Sequence, residues 1–167
     1  MARRKLIPDP LTVIADTREQ LPYAFNGLSG RGGQSIEVVR RKLNVGDYSV
    51  AGCEENCAIE RKILSDLYGS LGKGRARFQQ EWERARDAGY KYLGLVIETD
   101  LLSILKPPDH SQRMTPLSVI RTITSWSVKY RICVWTVGPR RAAETLTLRL
   151  LEFCYAYYRR RDGDGND

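Results

Sequence analysis

The stretch Ala58-Ile59-Glu60-Arg61-Lys62 runs two apolar residues directly into three charged ones. Side chains alternate along a strand, so residues two apart share a face, and Glu60 and Lys62 project together. Setting an acid and a base side by side among apolar segments costs desolvation energy, so the pair needs a structural or functional reason to exist. A Glu-x-Lys triplet alone is weak, since at average composition one arises by chance roughly once in one or two chains of this length. Its plain reading is an exposed ion pair on an edge strand.

The surroundings of the triplet raise its value. Gly46-Asp47 lies thirteen residues before Glu60 across an expected hairpin, and Asp16 ends the first apolar strand. Asp16, Asp47 and Glu60 are therefore expected to converge at strand ends. Clustered carboxylate oxygens suit a hard divalent cation, Mg²⁺ or Mn²⁺, which keeps several waters and bridges to a substrate phosphate. Such an ion supplies what phosphodiester hydrolysis needs, and Lys62 is placed to orient a water or offset developing negative charge.

Strands dominate the first third of the chain. Residues 11–15 read as a short buried strand and residues 36–43 as a longer one with a basic face. Residues 47–50 and 57–60 are extended pieces flanking a turn-rich stretch, the pattern of a hairpin. Helical periodicity follows, with Phe78, Trp82 and Ala85 at i, i+4 and i+7 and Gly89 as the stop. Residues 92–97 and 132–137 read as further buried strands. Between them Thr115 is expected to cap a helix with Pro116 at its first position, carrying Ile120, Ile123 and Tyr130 on one side. A last helix starts near Pro139 and repeats Leu146, Leu150, Phe153 and Tyr157 at helical spacing. The order predicts an α/β domain, a mixed β-sheet flanked by helices on both faces. Its expected limits are residues 11–158, with a basic tail over 1–10 carrying Arg3, Arg4 and Lys5, and a charged tail over 159–167.

With these motifs in place, the chain resembles the XPF family of structure-specific endonucleases, within the PD-(D/E)XK nuclease superfamily. The resemblance rests on Ala15-Asp16-Thr17-Arg18-Glu19, Gly46-Asp47-Tyr48-Ser49 and Ile59-Glu60-Arg61-Lys62-Ile63-Leu64-Ser65-Asp66-Leu67. It continues through Gly69-Ser70-Leu71, Gly74-Arg75, Arg77-Phe78 and Val96-Ile97-Glu98, and so spans most of the domain. It implies a restriction-endonuclease-like fold, metal ligation by Asp47 and Glu60 with a contribution from Asp16, and a catalytic cation at Lys62. Arg18, Glu19, Arg61 and Asp66 match other positions of the active-site motif. Branched, flapped or forked DNA is the implied substrate and a homodimer through the last helices the implied assembly; Tyr155, Tyr157 and Tyr158 crowd the final turns where an interface would lie. The chain is too short to carry the tandem helix-hairpin-helix domain that follows many family nuclease domains, which limits what the resemblance implies about substrate selection.

Composition agrees with a polyanionic partner. The 167 residues carry a formal charge of +7 and include nine tyrosines and three tryptophans, with a pI near 9.4. The basic segment Ser70-Leu71-Gly72-Lys73-Gly74-Arg75-Ala76-Arg77 is expected to be a loop entering the helix that runs from about Gly74 to Ala88, its backbone amides and the cations Lys73, Arg75 and Arg77 holding a DNA phosphate. Neither it nor residues 27–33 has the spacing of a nucleotide-binding loop. Trp126 and Trp135 are expected in the core, and His110 in an ordinary loop. Cys53 and Cys57 lack the further ligands that a structural zinc needs. No apolar run is long enough to span a bilayer, and a soluble intracellular protein is expected. The rival readings are a DNA-binding module without catalysis and a basic scaffold protein, and metal binding at the acids separates the scaffold from the others.

Overall fold

The computed structural model describes residues 7–106 and 114–161. Arg3, Arg4 and Lys5 of the expected N-terminal tail, His110, and residues 162–167 of the expected C-terminal tail lie outside them. Among the described residues the chain forms β1 (Leu11–Ala15), β2 (Ile36–Arg40), β3 (Tyr48–Val50), β4 (Cys57–Lys62), α1 (Leu64–Leu71), α2 (Arg75–Asp87), β5 (Tyr92–Ile97), α3 (Leu101–Leu105), α4 (Pro116–Tyr130), β6 (Cys133–Thr136) and α5 (Arg140–Arg161). The strands make one mixed sheet in the order β2-β1-β3-β4-β5-β6. β3 runs antiparallel to both neighbours, and the other pairings are parallel. The direction of β3 has a direct consequence. Its N-terminal end meets the C-terminal ends of β1, β2, β4, β5 and β6, so Asp16, Asp47, the Glu60-Arg61-Lys62 run and Glu98 all lie along one edge of the sheet.

Strand alternation divides the core in two. Ala58 on β4 and Leu93, Leu95 and Ile97 on β5 face Leu67, Phe78, Trp82, Val119, Ile123, Trp126 and Tyr130 of α1, α2 and α4. The intervening residues Cys57, Ile59 and Val96 join Val13, Ala15, Tyr48 and Val50 on the opposite face, under Ala143, Leu148, Leu151 and Cys154 of α5. Helices thus cover both faces, as the order of elements predicts. Thr115 caps α4 as expected, its hydroxyl accepting from the Ser118 N–H with Pro116 in the first turn.

The structure corrects several expectations. β2 stops at Arg40 instead of continuing to Leu43, because the chain turns there to bring the Leu43 N–H onto Asp16. Helix α1 occupies part of the expected loop; it lacks a side-chain cap and contains Gly69, and it is stabilised by burying Leu67, Tyr68 and Leu71. Trp135 sits on the edge strand β6 and is 41% exposed, so of these two tryptophans Trp126 alone belongs to the core. In α5 the stripe of Leu146, Leu150, Phe153 and Tyr157 meets the core only in part: Leu150 packs against it, but Phe153 and Tyr157 are 57% and 51% exposed. Ile7 is buried, and α5 runs on to Arg161.

The sheet-facing stripe of α5 escapes a hydrophobicity reading because it includes Glu144 and Glu152. Each accepts a backbone N–H from the long loop before β2, Glu144 from Phe25 at 2.6 Å and Glu152 from Arg31 at 2.7 Å. Each also pairs with an arginine three residues earlier, Arg141 and Arg149, and those arginines donate to the carbonyls of Asn26 and Ser29. Two Arg–Glu pairs of the same design therefore fasten one loop to one helix. Removing a buried carboxylate strands both its partners. Glu152→Ala is expected to lower stability by about 2–4 kcal/mol, seen as a reduced urea midpoint with an unchanged slope. A midpoint equal to that of the wild type would show that the loop holds without the clamp.

Candidate active site at the sheet edge

Glu60 and Lys62 leave β4 on the face of α1 to α4, as strand alternation requires. Lys62 Nζ donates to Glu60 Oε1 and lies 4.9 Å from the centre of the Phe78 ring. Asp47 arrives from the neighbouring strand. Its N–H donates to Ile59 O at 2.9 Å and its Oδ2 accepts the Arg61 N–H at 2.8 Å, so Asp47 is locked in register with β4. Gly46 makes that approach possible. It adopts φ +72°, and a Cβ there would lie 3.0 Å from Ile59 O.

The electrostatics mark these two acids out. Burial pushes the Asp47 carboxyl up to about 6, with the Arg61 N–H and Lys62 opposing and Glu19 and Glu81 adding to the rise. Burial and then the charge of Asp47 push Glu60 up to about 8, against the pull of Lys62. Burial alone would lower Lys62, but Glu60, Asp47 and Asp66 outweigh it and keep the ammonium charged.

Asp16 behaves differently. Its Oδ1 accepts from the N–H and Nε of Arg18 at 2.9 and 2.6 Å, and its Oδ2 from the Leu43 N–H at 2.6 Å. Burial would raise this carboxyl, but those hydrogen bonds hold it below the usual carboxylate range. The expected convergence of Asp16, Asp47 and Glu60 is therefore incomplete. Among the described residues no group of three or more His, Cys, Asp and Glu side chains is set to hold a metal ion. Asp16 contributes through its backbone instead, its N–H donating to Asp47 O at 2.8 Å.

Arg61 leaves β4 on the opposite face and does not join the acids. Its guanidinium makes two hydrogen bonds to Glu98, at 2.6 and 3.1 Å, and reaches Glu19 at 3.3 Å. Tyr23 donates to Glu98 at 2.7 Å, and Arg61 and Arg140 both lie over the Tyr23 ring. Asp66 is exposed in the first turn of α1, near enough for its charge to act on Lys62.

The basic segment enters helix α2 as expected, but its first residues belong to α1. Ser70 and Leu71 end α1, residues 72–74 make a turn, and Arg75 and Arg77 begin α2. The N–H groups of Gly72, Gly74 and Arg75 already donate to Tyr68, Gly69 and Gly72 carbonyls, so these three amides are engaged within the turn. Lys73, Arg75 and Arg77 themselves are exposed.

Two contributors escaped the sequence reading. Phe78 lies under the Lys62 ammonium, and Glu81 accepts the Gly46 N–H at 3.1 Å. The available signal was a carboxylate three residues after Phe78 and next to Trp82, beside the apolar stripe of α2.

Comparison with known proteins bears on this arrangement. The ERCC4 domain matches residues 15–148, from the end of β1 into α5. No curated protein sequence matches. Among solved structures, XPF from Aeropyrum pernix superposes with a TM-score of 0.63 at 20% identity, over 85% of this chain and 60% of that one. XPF from Aeropyrum pernix in complex with DNA gives a TM-score of 0.60 at 19% identity, over 94% of this chain and 68% of that one. At these identities the likeness is one of fold, and this chain spans about 60% of the length of the first structure. With the family match running through the sheet and the helices on both of its faces, the chain belongs to the ERCC4 domain family.

Proposed function

We propose that this chain is a divalent-metal-dependent DNA endonuclease that hydrolyses phosphodiester bonds in branched, flapped or forked DNA. One observation carries the reading: Asp47 and Glu60, delivered by two strands, set their charges against each other at the sheet edge with Lys62 alongside. ERCC4 family membership supports a DNA nuclease domain, and the likeness to a protein solved with DNA supports the substrate.

Asp47 and Glu60 fit Mg²⁺ or Mn²⁺ as a donor set, since both offer hard carboxylate oxygens and a cation relieves their repulsion. Asp16 joins as an auxiliary ligand only by releasing Arg18 or Leu43. When bound, such an ion polarises a phosphoryl oxygen and lowers the pKa of a coordinated water. Lys62, held between Glu60 and the Phe78 ring, orients the attacking water or offsets charge on the phosphate. Lys73, Arg75 and Arg77 contact DNA phosphates without reading sequence. A homodimer would use the outer stripe of α5, where Phe153 and Tyr157 are exposed beside half-buried Leu146 and Leu150.

Asp47→Asn and Glu60→Gln remove ligand charge without removing volume. Each is expected to abolish Mg²⁺-dependent cleavage of a flap or fork substrate while keeping DNA binding. Near wild-type cleavage by either purified variant overturns the ligand assignment.

Both acids sit above their ordinary values in the fold, so the fold prefers them protonated. Their contribution to stability is fully present below the unfolded carboxylate pKa and is lost as pH rises through about 6 and about 8. In chelator, Glu60→Gln should melt above the wild type near the top of that window, with the gap narrowing towards about pH 5. A gap that does not change with pH counts against burial of an ionising Glu60.

Replacing Lys73, Arg75 and Arg77 together with Ala should weaken DNA binding across sequences and flatten its salt dependence by roughly one unit of slope per lost phosphate contact. An unchanged slope of log affinity against log salt places the DNA elsewhere.

A further inference from the structure

Helix α2 brings Glu81 to the Gly46–Asp47 turn from outside the motif strands. Its Oε1 accepts the Gly46 N–H at 3.1 Å, across thirty-five residues of chain. On the other side that turn is pressed against β4, through the Asp47 N–H on Ile59 O at 2.9 Å and the close approach of Gly46 to the same carbonyl. The turn that presents Asp47 is thus gripped between a strand and one carboxylate. Glu81 is half-buried on the flank of α2, between Phe78, whose ring lies under the Lys62 ammonium, and the buried Trp82.

The residue is acidic in a place already rich in acid. The negative charge of Glu81 acts on both Asp47 and Glu60. The cation on which its charge acts is Arg18, which is itself hydrogen-bonded to Asp16. A hydrogen bond to Gly46 needs only an acceptor, and a neutral amide oxygen serves as well without adding to the repulsion. A carboxylate there raises the energy of the metal-free site, and a divalent cation recovers that energy.

We propose that Glu81 is a positioning residue of the cation site: it fixes the Gly46–Asp47 turn through the Gly46 N–H and adds its negative charge to those of Asp47 and Glu60 in drawing a divalent metal ion. The inference rests on the metal-dependent reading given above and extends the site to α2, the helix whose first turn carries Arg75 and Arg77.

The two parts of the role separate by substitution. Glu81→Gln keeps an acceptor for Gly46 and loses the charge, whereas Glu81→Ala loses both. Mn²⁺ is titrated calorimetrically into the DNA-free full chain, alongside Asp47→Asn and a charge control, Glu83→Gln. Glu83 sits on the same helix but pairs with Tyr130 and Lys129. Glu81→Gln is expected to weaken Mn²⁺ binding by about fivefold or more, and the Mn²⁺ concentration for half-maximal cleavage should rise in the same ratio. Glu83→Gln should bind Mn²⁺ as the wild type does. Wild-type Mn²⁺ affinity in Glu81→Gln overturns the proposal, even if Glu81→Ala is impaired or fails to fold. An equal loss in Glu83→Gln also overturns it, since the effect would then come from overall charge. If Asp47→Asn binds Mn²⁺ as the wild type does, the metal site itself is misassigned; if Glu81→Gln does and Asp47→Asn does not, the reading of Asp47 and Glu60 stands and the role of Glu81 falls.

Discussion

A strand buried along most of its length ends in three consecutive charges, and each must be compensated on the face to which the pleat sends it. This constraint on β4 organises much of the molecule. Glu60 and Lys62 go to the helical face, where they meet each other, Asp47 and the Phe78 ring. Arg61 goes to the other face, where Glu98 and Glu19 receive it. Through Glu98 it is tied to Tyr23 and Arg140, and so to the long loop before β2 and the start of α5. One residue of the motif thus ties the scaffold together while its two neighbours turn to the face on which the proposed site lies.

The buried acids divide into two kinds by what surrounds them. Asp16 and Glu98 are ringed by donors, and their carboxyls are held below the usual range even though burial works against this. Such acids stabilise the fold, and the donors that satisfy them come from segments that need fastening. Asp47 and Glu60 are instead raised, first by burial and then by negative neighbours, Glu19 and Glu81 for Asp47 and Asp47 and Glu81 for Glu60, with little besides Lys62 and one backbone N–H in opposition. A fold gains nothing by keeping two repelling carboxylates buried together. That is the physical ground for resting the proposed function on this pair.

Helix α5 shows the same economy in reverse. Its sheet-facing stripe includes Glu144 and Glu152, because the loop laid over it offers backbone N–H groups that only an acceptor can satisfy. Its outer stripe carries Phe153 and Tyr157 in the open. The helix is therefore more polar where it is buried and more aromatic where it is exposed than a simple amphipathic helix, which is why the apolar repeat matched the buried face only in part.

Much of this was legible in the sequence because it rests on local rules. Period-two and helical spacing located β1, β5, α2 and α4 closely, the 47–60 hairpin followed from its turn residues, and alternation alone put Glu60 and Lys62 on one face. The motif resemblance supplied the fold class. Tertiary structure decided what local rules cannot see: that Asp16 turns to Leu43 and Arg18 and away from the other acids, that Arg61 is a brace, that Glu81 comes from α2 to hold Gly46, and which stripe of α5 is buried. Each of these depends on a partner twenty-five or more residues away, or on the competition between burial and a hydrogen-bond donor. Sequence spacing encodes the direction of a side chain along its own element, but not the group that waits for it on another.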